Sequence, residues 1–521
     1  MTSKEISRRD FLRLLGISGG AALLSACAPK ALTETAFPPT AIPSASTAGR
    51  ASGGVDVEIA LKAVEGEAQI LSGKATRVWR YQGEVMSGPA DALQIVPNSY
   101  LGPIFNVKKG QKIRIHFTNE LRESSIVHWH GLHVPVEADG HPRLAIEPGE
   151  TYIYDFTVLD RAGTYWYHPH PHGRTGPQAY AGLAGLFLIS DDEESSLGLP
   201  SGDYDLPIVL QDRIFDNNNQ LVYGGSGMMD QMMGFLGDQL LVNGQADFSL
   251  SVETRPYRLR FLNGSNSRIY KLAWDDGTPL TVLGTDGGLL EKPVKRDYIT
   301  LAPAQRVELW VDFSKDEIGS ERNLVSLPFD AYGGWTEYRV LPVKVEKAVT
   351  VSAPIPGTLS TINWHNENEA VNRRSPRDFT LAMGMGMQWS LNNRTFEMES
   401  VEKDEIVKLG DLEVWEFKNQ AGGGMGMGMG MMNESLPHPM HVHGLQYQVI
   451  EREVDSTGRG AWNTLKDGHV DEGWHDTVLV MPGERVKILL KFEDFTGLYL
   501  YHCHNLEHED MGMMRNYRVD A

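Results

Sequence analysis

Cysteine is nearly absent. The 521-residue chain has two, Cys27 and Cys503, and two cysteines make no disulfide framework. Positive charge is also short: 48 Lys and Arg stand against 68 Asp and Glu, for a net charge of -20. That balance argues against a nucleic-acid partner and suits cationic ligands. No interior stretch is apolar for long enough to cross a membrane. Histidine is missing from one long stretch, Pro200 to Glu346, although the chain has 17. A chain of this length is too long for one ordinary core, and about three domains are expected.

The N-terminus explains the first cysteine. Arg8 and Arg9 precede a short apolar run from Phe11 to Leu24, the pattern of a twin-arginine export signal. Leu24-Ser25-Ala26-Cys27 resembles a lipoprotein processing box, with a plain secretory cut nearby as the alternative. Residues 1–27 therefore read as a signal. Residues 28–54, rich in Ala, Pro, Ser, Thr and Gly, read as a flexible tether. The expected location is the periplasm or cell envelope, with Cys27 as a lipid anchor.

Three stretches share one pattern: IEPGETYIYDF (146–156), LAPAQRVELWVDF (301–313) and VMPGERVKILLKF (480–492). Each is a Pro-centred turn leading into an alternating apolar strand. Their separation makes each copy part of a whole domain. The expected fold is all-β, with three β-sandwiches at 55–195, 200–345 and 375–521 and only short helices. The first and third share more: GTYWYHPH (163–170) aligns with GLYLYHCH (497–504), and HWHG (128–131) with HVHG (441–444).

These stretches hold four His-x-His pairs: His128/His130, His168/His170, His441/His443 and His502/His504. Residues i and i+2 of a strand share a face, so each pair presents two imidazoles together. Neutral imidazole suits Cu, Zn, Fe and Ni. Cys503, between His502 and His504, faces the other way, so a metal on the thiolate and a cluster on the histidines would be parted only by backbone. His438 upstream, and His508 and Met513 downstream, complete two imidazoles, a thiolate and a weak thioether, the donor set of a blue-copper electron-transfer site.

With HWHG, WYHPH, HPMHVHG and HCHNLEHEDMGM in order, nearly everything after residue 55 resembles the multicopper oxidases, whose domains are cupredoxin-like Greek-key sandwiches. The resemblance implies four copper ions. Type 1 would take His438, Cys503, His508 and axial Met513. Type 2 would take His128 and His441. The type 3 pair would take His130, His168, His170, His443, His502 and His504. In the first domain Pro169 stands where Cys503 stands in the third, so the first domain has no type 1 site. The family's copper-efflux members use two acids near the cluster, and Asp139 and Glu509 occupy the matching positions for proton delivery.

Methionine is concentrated in MMDQMM (228–233), MGMGM (383–387) and MGMGMGMM (425–432). Thioether prefers Cu(I), and alternating Gly makes a poor core. Met425, Met427, Met429, Met431 and Met432, with Glu434, read as a route for cuprous ion to the type 1 copper. The competing reading is a lid over an apolar substrate cleft. Asp476 is expected to be a structural hydrogen-bonding residue. His133 and His172 are expected to support the ligands, and His116, His141, His365, His469 and His475 to lie on the surface or in loops. The expected activity is oxidation of Cu(I), or of small phenols as a laccase does, coupled to reduction of O2 to water. The alternative is a copper-sequestering protein with minor oxidase activity, marked by far more tightly held Cu(I) than the four sites hold.

Overall fold

The computed structural model describes residues 54–224, 227–351, 353–383, 388–420 and 436–521. The expected signal and tether up to residue 53, Met385, Met387, Met425, Met427, Met429, Met431, Met432 and Glu434 lie outside those residues. Among the described residues the fold is all-β. Among these residues six sheets form three successive pairs, and the longest helix described is Thr175–Ala181.

The alternation in the sequence becomes two-faced strands. In Lys112–Asn119, Ile113, Ile115 and Phe117 are fully buried, while Arg114 and His116 face outward. Arg114 pairs with Asp155 at 2.7 Å and His116 with Glu58 at 2.8 Å. The first core joins Val57, Ile59 and Phe117 of one sheet to Phe105, Trp129 and Phe187 of the other. The second joins Leu259 and Val307 to Tyr270 and Leu341. The third joins Trp415 and Ile488 to Met440, Cys503 and Tyr517. Trp129 alone meets Phe105, Tyr154 and Tyr167 edge-on or tilted. Burial of a Trp in such a core contributes about 3–5 kcal/mol relative to alanine, which holds the flanking histidines in register.

The repeated turn has a common backbone. Gly149, Ala304 and Gly483 occupy the same place in the three copies, with φ of 87°, 72° and 74°. Alanine there costs roughly 1–2 kcal/mol. The carbonyl of Ala304 has a separate partner, since it accepts from Arg306 Nη1 at 3.0 Å. The middle domain is fastened to the first by a buried ionic knot. Glu308 accepts from Arg258, from Arg260 at 2.9 Å and from Thr164 at 2.7 Å.

Candidate metal centre

Eight imidazoles converge between the first and third sandwiches. Strand Val127–His130 pairs with Gly163–Pro169 so that His128 stands opposite His168. Strand His438–Val442 pairs with Gly497–Cys503 so that His441 stands opposite His502, and Met440 opposite Cys503. His130, His170, His443 and His504 follow two residues on, with their rings gathered on the same side. The residues between them turn inward: Trp129 into the first core, Val442 and Cys503 into the third. Each H-x-H-G segment closes in the left-handed region, at φ 88° for Gly131 and 75° for Gly444. A Cβ on Gly444 would lie 2.7 Å from the Tyr499 ring, and one on Gly131 2.8 Å from Arg306 Nη2.

The nitrogens fall into three sets. His128 Nε2 and His441 Nε2 are 3.4 Å apart. His130 Nδ1 and His504 Nε2 each lie 3.4 Å from His168 Nε2. His502 Nε2 lies 3.3 Å from His170 Nε2 and 3.0 Å from His443 Nε2. Burial pushes His168 down to about 3 and His170 to about 4, and holds His128, His130, His441, His443 and His504 well below the usual imidazole value. These rings are therefore neutral, each with one N–H and one lone pair.

The other ring nitrogens reveal where the lone pairs point. Nδ1–H of His128 donates to Asp139 O at 2.6 Å, that of His441 to Asp476 O at 2.7 Å, and that of His168 to Pro169 O at 2.9 Å. That of His443 donates to Asp139 Oδ2 at 2.9 Å, and that of His502 to Cys503 O at 3.1 Å. Lone pairs thus face one another between His128 and His441 and between His443 and His502, an arrangement that repels unless a cation lies between them. Two imidazole nitrogens each about 2 Å from one tetrahedral ion lie about 3.3 Å apart, which matches the spacings found. The donor chemistry fits a metal cluster.

On the far side of the same strand, Cys503 Sγ lies 3.4 Å from His438 Nδ1 and 3.7 Å from His508 Nδ1. Met513 is fully buried in the same core. Backbone bonds fix the loop: Cys503 N–H donates to Met513 O at 3.0 Å, and Met513 N–H to His508 O at 2.9 Å. Burial pushes the Cys503 thiol well above its usual value, and a metal ion reverses that by binding the thiolate. His508 turns its Nε2–H to the carbonyl of Met232 at 3.1 Å. Trp389 donates to that carbonyl at 2.9 Å, its ring 4.4 Å from His508. Glu507 fastens this segment from below, accepting from Phe235 N–H at 2.9 Å and Tyr223 at 2.8 Å.

Both acids are buried against the cluster. Asp139 Oδ2 holds His443, while Oδ1 has no hydrogen-bond partner among the described residues. Burial pushes Asp139 up to about 8. Glu509 lies 3.2 Å from His502 Nδ1 and 3.6 Å from His170 Nε2. Burial raises it, and the imidazoles of His170 and His502 outweigh that, leaving it below the usual carboxylate value.

Sequence profiles described as multicopper oxidase match residues 77–194 and 370–521, the two histidine-bearing regions. A multicopper oxidase, mco, of Staphylococcus aureus is 32% identical over 88% of this chain and 88% of its own length. The chain belongs to the multicopper oxidases. A laccase of Bacillus stratosphericus is 30% identical over 84% of this chain and 90% of its own. The crystal structure of the McoA multicopper oxidase of Aquifex aeolicus superimposes with a TM-score of 0.75 at 36% identity, covering 89% of this chain and 96% of that one. Multicopper oxidases carry four coppers, of types 1, 2 and 3, and oxidise a reductant at the expense of O2.

Of the five histidines of this multicopper oxidase expected on the surface or in loops, three lie between strands as expected but are not on the surface. His141, His469 and His475 are buried. His141 caps a turn and donates to Asn516 at 2.9 Å, and His475 lies 3.3 Å from Asp286. Burial at a joint between domains has no signature in sequence. His172 does not support a ligand: it is exposed, with its ring on Phe396 at 5.0 Å. His133 braces the turn after His443 through Gly444 O at 2.6 Å. Sequence reasoning missed Arg306, Trp389 and the Met232 carbonyl. Only the methionine pattern around 232 gave any signal.

Proposed function

We propose that this multicopper oxidase takes its electrons from cuprous ion at the Cys503 end of the third domain and delivers them to O2 between the first and third domains. In this reading His438, Cys503, His508 and Met513 hold type 1 copper, and His128 and His441 hold type 2. His130, His168 and His504 hold one type 3 ion, and His170, His443 and His502 the other. When bound, the coppers supply one-electron oxidation of the reductant and four-electron reduction of O2. The chain joins the two donor sets through adjacent residues of one strand, because Cys503 is bonded directly to His502 and His504. Asp139, raised by burial and with one carboxylate oxygen unengaged, holds a proton for the cluster, and Glu509, ionised beside His170 and His502, accepts and passes protons on.

The observation that carries the cuprous reading is the cover over His508. Its outward nitrogen is capped by a carbonyl of helix Met228–Met233. Met229 of that helix is 48% exposed and Met233 packs on the third core, so the helix that covers His508 carries thioethers on both its solvent and its core side. The decisive experiment is oxygen uptake with Cu(I) and with a phenol, before and after deletion of residues 423–432. Loss of the cuprous activity alone is expected. Loss of neither would show that this segment is no substrate device. Oxidation of phenols is the second reading, supported by the laccases among the relatives.

We also propose export through Arg8 and Arg9 and lipidation at Cys27. Fractionation of cells making the Arg8→Lys, Arg9→Lys chain is expected to leave the protein in the cytoplasm. Unchanged envelope recovery would refute that route.

A further inference from the structure

The histidine-free middle domain reaches toward the cluster through Arg306. Arg306, at the start of strand Arg306–Asp312, is buried with every guanidinium N–H engaged. Nε donates to Thr164 O at 2.9 Å, Nη1 to Ala304 O at 3.0 Å, and Nη2 to Asp286 O at 3.0 Å. The remaining two N–H groups form a fork on Asp476, with Nη1 to Oδ1 at 2.8 Å and Nη2 to Oδ2. Five donors and five acceptors leave the guanidinium one orientation.

Asp476 is fixed in turn. Oδ2 also accepts from Gln446 at 2.8 Å, and Oδ1 from Thr477 at 3.0 Å. What Oδ1 then faces is His130 Nε2, at 3.0 Å. A carboxylate paired with a guanidinium accepts and does not donate, so His130 must carry its hydrogen on Nε2. Its lone pair is then on Nδ1, the atom 3.4 Å from His168 Nε2. This reverses the arrangement of the other cluster rings whose acceptors are fixed: His128, His168, His441, His443 and His502 all give Nδ1–H away and turn Nε2 inward. Thr477 Oγ1, 3.2 Å from His130 Nε2, has given its one hydrogen to Asp476 Oδ1, so it too can only accept from His130. With both oxygens held by Arg306, Asp476 is itself no free ligand, although it lies beside His130 and His441.

We propose that the Arg306–Asp476 pair is a positioning device that selects the reversed tautomer of His130 and thereby completes the metal position shared with His168 and His504. The middle domain thus governs metal loading without a ligand of its own. The inference rests on the copper assignment proposed above.

The test uses the copper-loaded full chain and reads copper per chain together with the EPR-silent fraction that a coupled type 3 pair produces. Asp476→Asn puts an amide N–H among groups that all donate. Arg306→Met with Asp476→Leu removes both charges at similar volume, which avoids a lone buried charge should the single variant fail to fold. In either variant the blue absorption should persist as evidence of a folded third domain. Affinity at the His130 position should fall about 10–100-fold, seen as lost copper or as loss of the EPR-silent fraction. Parent-like copper content and silent fraction in a folded variant would overturn the inference. A parent protein without four coppers would instead overturn the copper assignment.

Discussion

The Cys503→Ser protein is expected to be colourless and inactive toward cuprous ion and phenols alike, with the histidine cluster still able to load. Serine is nearly isosteric, so the change is chemical. The hydroxyl is not a soft donor, and it replaces the thiolate that faces His438 and His508 at 3.4 and 3.7 Å. Burying a hydroxyl costs about 1–3 kcal/mol when it is not satisfied. The Asn505 N–H, now 3.4 Å from Sγ, offers it a partner. The fold should therefore persist while the type 1 position is lost. Visible absorption, copper per chain and oxygen uptake check this together. Retained turnover without a blue band would mean that electrons enter the cluster by some path that does not use this strand.

Asp139→Asn and Glu509→Gln should each lower the rate of oxygen consumption by about 10²–10⁴-fold, the usual contribution of a positioned acid or base. Bleaching of the blue band by anaerobic reductant should stay as fast as in the parent. The amides keep shape and a hydrogen-bonding oxygen but can neither give nor take up a proton. Asparagine can still accept from His443 through its carbonyl oxygen, so copper content should hold. That separates proton supply from ligand positioning: equal copper with slow turnover supports the former, and lost copper the latter. Parent-level oxygen uptake in both variants would exclude both acids from the reaction.

The strands and their sandwich pairing were legible because alternation is a local pattern. Lys112–Asn119 shows this in its three buried apolar residues at every second place. The histidine pairs were legible for the same reason, since a period of two fixes which side chains share a face. The reversal of His130 was not legible. It depends on Asp476, 346 residues away, and on Arg306 from a different domain, and nothing in the local sequence marks either one. The cover over His508 was half legible: the methionines at 228–233 stood out, but the group that meets His508 is a backbone carbonyl, which has no sequence signature. His469 and His475 looked unremarkable because their burial comes from the joint between the second and third domains.

The most direct measurement is an anaerobic reductive titration of the copper-loaded protein, followed by admission of O2. If Cys503 joins the electron-accepting site to the histidine cluster, the chain takes up about four electrons, one for each copper of the family. The blue band then bleaches, and O2 restores it with water as the only product. Uptake of a single electron, or return of the band with release of hydrogen peroxide, would contradict that connection.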